Sequence, residues 1–262
     1  MTNSNRKSEF VTENGVEIET YIDGDGPAFF ILPSYGRDGA EDYDIFTAQI
    51  VRAGWQVLRP QPRGIAGSKG PMTDVTLHDL GNDVALCIRT MSDGPSVLLG
   101  HAFGNAVARI VATDHPALVR GVILAASQAS KVPEHVAKAP FIAGDPSTPA
   151  TERLEVLRTA FFAPNHDPSI WLRGWYPKTL KMQHSAAQAV TPSEYWACGD
   201  VPLLEVFGQL DPFKPKEYWT ELRDQFGDRV TTVVVDDASH ALFPEQPVPV
   251  AQAVISWLMS FH

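Results

Sequence analysis

Apolar residues along this chain follow two spacings. Leu80, Val84, Cys87, Ile88 and Met91 recur at helical intervals and predict a helix over 77–91. The same periodicity predicts helices over 42–53, 103–113, 215–227 and 247–261. A short, wholly apolar run predicts a buried strand at 28–32, and short runs rich in apolar residues predict strands at 55–59, 97–100, 122–126, 203–207 and 230–235. Alternation through Val16, Ile18, Thr20 and Ile22 predicts an earlier strand, followed by a turn at Asp23-Gly24-Asp25-Gly26. Strands that alternate with helices, and that are apolar on consecutive rather than alternate positions, imply a mostly parallel sheet covered on both faces. The expected class is a three-layer α/β/α domain.

That rhythm breaks between Ala126 and Leu203. The interval holds helical segments and a surplus of aromatics: Phe141, Phe161, Phe162, Trp171, Trp175, Tyr176, Tyr195 and Trp196. Residues 1–128 and 199–262 are expected to form the core. Residues 129–198 are expected to be a helical cap over the carboxyl ends of the strands, where ligands sit in open parallel sheets. The aromatic density predicts an apolar pocket there, with Trp171, Trp175 and Tyr176 in its wall and Arg173 nearby.

The 262 residues are enough for one large domain with a sizeable core. A net charge of −10 argues against nucleic acid or anionic membrane as partners, since phosphates would be repelled. It suits a neutral or weakly charged small ligand, and fits a monomer or a dimer equally. Cys87 and Cys198 lie far apart in no ligand spacing and read as buried thiols. The first residues lack the apolar run of a signal peptide, and no stretch is long enough to span a bilayer, which makes the cytoplasm the default expectation.

Three polar features fall at carboxyl ends of predicted strands. "GHAFG", residues 100–104, links a strand to a helix through a tight turn whose middle position is normally a nucleophile and here is Ala102. "VFGQLDPF" places Asp211 after strand 203–207, and "DDASHALFPEQP" places His240 after strand 230–235. With "RPQPRGIAGSKGP" after the third strand, these features resemble the α/β-hydrolase fold family in kind and in chain order over nearly the whole chain. The resemblance implies a general base at His240, oriented by Asp211. It also implies an oxyanion hole from the backbone amides of Tyr35, in "ILPSYG", and Phe103. His101 beside the turn is expected to pack rather than react.

Ala102 leaves four readings open. It replaces an engineered-out serine; or the His240–Asp211 pair acts directly as a general base on water or substrate; or the pocket only binds; or a serine elsewhere, Ser34 or Ser127, takes the role. The strained turn and the paired His and Asp favour an enzyme acting on a small apolar ester, lactone or related carbonyl compound. A silent small-molecule binder or receptor is the alternative. No Gly-rich phosphate fingerprint, HExxH or Cys cluster points to a metal or an organic cofactor.

Overall fold

A computed structural model describes residues 6–261. Eight strands form one sheet: β1 (Ser8–Glu13), β2 (Val16–Asp23), β3 (Ala28–Leu32), β4 (Gln56–Pro60), β5 (Ser96–His101), β6 (Val119–Ala125), β7 (Leu203–Gly208) and β8 (Val230–Val235). Their order is β1-β2-β4-β3-β5-β6-β7-β8. The pairs β1–β2 and β2–β4 are antiparallel, and every pairing from β4 to β8 is parallel. The helices are α1 (Asp44–Arg52), α2 (Leu77–Met91), α3 (Gly104–Asp114), α4 (Glu134–Ala143), α5 (Ala150–Ala160), α6 (Pro177–Gln188), α7 (Glu221–Phe226) and α8 (Pro247–Leu258).

Alternate strand residues feed opposite cores, because successive Cβ atoms point to opposite sheet faces. Phe30 and Leu32 of β3 join Leu80, Val84 and Ile88 of α2 and Val107 and Ile110 of α3. Phe29 and Ile31 join Phe46 and Ile50 of α1 and Val250 and Val254 of α8. Strands β3, β5 and β6 are buried on both faces almost throughout and read as near-continuous apolar runs. Helix α2 begins where the sequence predicts, at a capping box: Thr76 accepts from the Asp79 amide while the Asp79 carboxylate accepts from the Thr76 amide at 2.8 Å.

Two elements depart from the hydrophobic pattern. β1 gives no periodic signal because it is an edge strand in which Val11 alone is buried. The expected helix over 215–227 is broken into short pieces around α7, and Trp219 at the break packs its ring against Phe207 at 5.8 Å.

Between β6 and β7 the chain makes α4, α5 and α6. Val136, Ala139, Leu157, Phe161 and Trp171 form a third apolar cluster with Phe213 and Ala241, which belong to the loops after β7 and β8. This segment therefore packs directly on the loops that carry Asp211 and His240.

The turn between β5 and α3 is the tightest point of the fold. Ala102 is held at φ +49°, a region costly for any residue with a Cβ. Its glycine neighbours are sterically obligatory. A Cβ on Gly100 would lie 2.4 Å from the Gly104 carbonyl group, and one on Gly104 would lie 2.1 Å from the Leu32 carbonyl oxygen. Gly104→Ala is expected to destabilise the protein by more than about 3 kcal/mol, because backbone rather than a flexible side chain must move. Gly94→Ala, where a Cβ meets nothing within 4 Å, should stay within about 0.5 kcal/mol of the parent. Urea denaturation midpoints compare the two.

Candidate active site

The loops after β5, β7 and β8 converge at one end of the sheet. The His240 imidazole Nδ1 lies 2.9 Å from Asp211 Oδ2 and 3.2 Å from Oδ1. Both side chains are buried. An ionised carboxylate only accepts, so Nδ1 carries the proton and Nε2 presents its lone pair. Nε2 has no hydrogen-bond partner among the described residues, and His240 lines a cavity that reaches Ala102.

Packing and hydrogen bonds hold this ring from several sides. Phe213 stacks on it with centroids 3.9 Å apart and planes 24° apart, and Phe161 meets it edge-on at 5.7 Å. The Phe213 amide donates to Asp211 Oδ1 at 2.8 Å, so one short loop fixes both the carboxylate and the stacking ring. Glu245 accepts from three backbone amides: Ala163 at 2.6 Å, and Ser239 and Leu242 at 2.9 Å each. These bonds bracket His240 in sequence and tie its loop to the α5 end. Burial pushes the Glu245 carboxyl up, against those three amides, which favour the charged form.

His101 is a brace. Its Nε2 lies 3.0 Å from the His240 carbonyl oxygen, which can only accept, so Nε2 carries the proton. Its Nδ1 is then the acceptor for the Tyr43 hydroxyl at 2.9 Å. Full burial lowers its pKa from 6.5 to about 3, so it stays neutral across the working pH range.

The Ala102 amide is committed to the Ala125 carbonyl at 3.0 Å, and the Asn105 side-chain amide donates to the same oxygen at 3.0 Å. The amides of Phe103 and Tyr35 have no partner among the described residues and remain available as donors. The Tyr35 loop is anchored through Gly36, whose amide donates to Gln183 Oε1 at 2.8 Å and whose carbonyl accepts from Tyr176 at 2.7 Å. The Tyr35 and Phe103 rings stack at 4.3 Å, coupling the two donor loops to each other.

The cavity encloses about 250 Å³, somewhat below the range of about 300–1,000 Å³ for drug-sized sites. Ser34, Tyr35, Ala102, Phe103, Trp175 and His240 line it. Trp171, Tyr176 and Arg173 do not. Trp171 is turned into the helical segment by the Arg37 guanidinium, 4.2 Å from its ring, and by a 3.2 Å bond from its indole nitrogen to Asp42. Tyr176 donates to Asp38 at 3.1 Å and faces a separate open groove, which Arg173 also borders. The aromatic count marks the right segment, but which rings turn inward is decided by these polar anchors.

Neither alternative serine touches His240. Ser34 lines the cavity without a side-chain hydrogen bond among the described residues. Ser127 donates to Glu205 at 2.5 Å, and Glu205 is paired with Lys214 at 2.7 Å in full burial. Sequence reading overlooked Phe213, His184 and Arg109, all of which line the cavity or its mouth. Arg109 carried a usable signal: it lies seven residues after Ala102 and is the single charged residue before the last turn of α3. Among the described residues no group of three or more His, Cys, Asp or Glu could hold a metal ion, and no helix is long and apolar enough to cross a membrane.

The low pKa of His101 links stability to pH. The unfolded chain binds a proton here near pH 6.5 and the folded chain only near pH 3. This contribution is complete above about pH 6.5 and is lost as pH falls toward 3, with a limiting slope of about 1.4 kcal/mol per pH unit. His101→Gln should flatten the stability–pH curve over pH 4–6 by about one proton, whatever its effect at pH 8. Urea melts at several pH values give the two slopes.

Comparison with known proteins places this geometry. A pyrrolizixenacetamide deacetylase of Xenorhabdus hominickii is 26% identical over 110 residues, covering 41% of this chain and 40% of that protein; the match thus spans well under half of the relative. The fold superposes on an E-2-(acetamidomethylene)succinate hydrolase with a TM-score of 0.78 and 18% identity, over 97% of this chain and 100% of the other. It superposes equally, at 0.78 and 22% identity, on a thermophilic esterase from Thermogutta terrifontis, over 99% and 100%. The sequence model of the alpha/beta hydrolase family matches residues 29–253. With that match spanning most of the sheet and both loops of the His–Asp pair, this chain belongs to the alpha/beta hydrolase family.

Proposed function

We propose that the protein is a hydrolase for a small ester or lactone in which His240 activates water directly, without a covalent enzyme intermediate. The carrying observation is the His240–Asp211 contact at 2.9 Å, with Nε2 left open to the cavity that Ala102 lines. A methyl group cannot attack a carbonyl, so the acyl-enzyme route has no nucleophile at this turn.

In the proposed reaction, water beside the Ala102 methyl gives a proton to His240 Nε2 while its oxygen bonds to the carbonyl carbon. The carbonyl electrons move onto oxygen, which accepts hydrogen bonds from the Tyr35 and Phe103 amides. The tetrahedral intermediate collapses, the carbon–oxygen bond to the leaving group breaks, and His240 returns the proton to the departing alkoxide. Asp211 keeps the proton on Nδ1 and stabilises the imidazolium between the two transfers. General-base action contributes about 10²–10⁴-fold, so turnover is expected to be slower than with a serine nucleophile. The names of the compared hydrolase, esterase and deacetylase are in keeping with attack on a carbonyl carbon.

His240→Gln should lower kcat on responsive aryl esters or lactones by 10²–10⁴-fold, with folding checked by circular dichroism. Ala102→Ser should introduce a rapid burst of up to one equivalent of released alcohol, the mark of an acyl-enzyme. No turnover by the parent, no change on His240→Gln and no burst from Ala102→Ser, with ligands still bound, would instead mark a silent binding protein.

A further inference from the structure

The cavity wall has an uneven charge distribution. Its titratable lining groups are Arg109, His184, His240, Tyr35 and Tyr195, and no carboxylate lines it. Arg109 is only 3% exposed, yet it forms no ion pair among the described residues. Its Nη1 donates to the Trp196 carbonyl, its guanidinium lies 4.3 Å from the Trp196 ring, and the Cys198 thiol is beside it. Each of these partners is neutral. The other deeply buried arginines differ: Arg37 pairs with Asp42 at 2.9 Å, Arg59 with Asp23 and Asp44 at 2.6 and 2.9 Å, and Arg63 with Asp83 at 2.7 Å. Removing a permanent cation from water without a counter-ion is costly.

We propose that Arg109 is the carboxylate-binding residue of this cavity, and that the substrate is an ester or lactone carrying a carboxylate remote from its reacting carbonyl. This rests on the reading of the cavity as a substrate site and specifies what it takes. A planar guanidinium with N–H groups to spare matches a planar carboxylate. A phosphate dianion would be left short, since Arg109 is the single permanent cation in the lining and the remaining walls are largely apolar.

Helix geometry sets the spacing. Asn105, Ala106 and Arg109 all line the cavity, at intervals of three and four that keep them on one face of α3, and Ala102 lines it from the turn before the helix. The rise per residue puts the Arg109 backbone about 10 Å beyond the Ala102 end. The guanidinium is held at that distance by Trp196 and Cys198. A carbonyl at Ala102 and a carboxylate at Arg109 are thus joined by a few methylene groups. This also keeps the anionic end away from Asp211. The overall charge of −10 works against such a ligand only at long range, where salt screens it beyond about 8–10 Å.

The test measures binding, not turnover. Monomethyl succinate, glutarate, adipate and pimelate are titrated into the full-length His240→Gln protein, each against its uncharged primary amide. Quenching of tryptophan fluorescence, with Trp175 and Trp196 in the cavity wall, reports Kd. The expected result is a 10–100-fold preference for the carboxylate in at least one chain length, decreasing as salt is raised. Arg109→Gln in the same background should abolish that preference while changing amide affinity less than 3-fold, and Arg109→Lys should restore part of it. Equal affinities, no binding of either compound, or a preference that survives Arg109→Gln would each overturn the proposal. The parental comparison needs no Arg109 variant, so a misfolded mutant cannot hide the answer. A carboxylate preference without ester cleavage by the parent would leave Arg109 standing as the carboxylate-binding residue and remove the hydrolase reading together with the ester or lactone assigned from it.

Discussion

Everything the site can do depends on the contact between the His240 imidazole and the Asp211 carboxylate. It crosses between two loops that are 29 residues apart in sequence and meet because β7 and β8 are adjacent in the sheet. The contact fixes the tautomer, and the tautomer turns a lone pair toward the cavity. Most of the surrounding structure serves that orientation. Phe213 covers one face of the ring, His101 holds the backbone carbonyl, and Glu245 gathers three amides around the loop.

A second constraint is steric. The β5–α3 turn brings backbone within van der Waals limits of the Leu32 carbonyl, and glycine at 104 alone permits it. The same turn holds Ala102 at positive φ and leaves the Phe103 amide undonated beside that of Tyr35. In the family this arrangement presents a nucleophile. Here the turn keeps its backbone geometry while its side chain is a methyl group, so the groups left facing the cavity are the His240 imidazole and backbone amides without a partner among the described residues. Backbone donors are insensitive to the side chain at the turn, which is how one part can be exchanged while the other persists.

The helical segment between β6 and β7 supplies the third element, an enclosing wall. Its apolar cluster includes Phe213 and Ala241, so the wall and the loops of Asp211 and His240 share a core. The order of the His–Asp pair and the shape of the cavity are therefore coupled: loosening one loosens the other.

The strands and helices flanking the site follow from hydrophobic spacing because parallel strands buried on both faces must be apolar throughout, and amphipathic helices must repeat every three or four residues. That logic located β3 to β8 and α2, and with them the loops of Ala102, Asp211 and His240. It failed for β1, which buries Val11 alone and so has no period to detect. Within the site, sequence order sufficed to bring Asp211 and His240 to the same end of the sheet, because strand order dictates where their loops end. It did not suffice for the wall. Trp171 and Tyr176 are drawn aside by Arg37, Asp42 and Asp38, while Trp175 turns inward. Nor could it reveal that Arg109, alone among the deeply buried arginines discussed, pairs with no carboxylate, since pairing is settled by contacts across helices and loops distant in the chain. The sequence by itself determined which residue types arrive at the strand ends; only tertiary packing decided which of them face the cavity, because that choice rests on long-range polar partners and not on local periodicity.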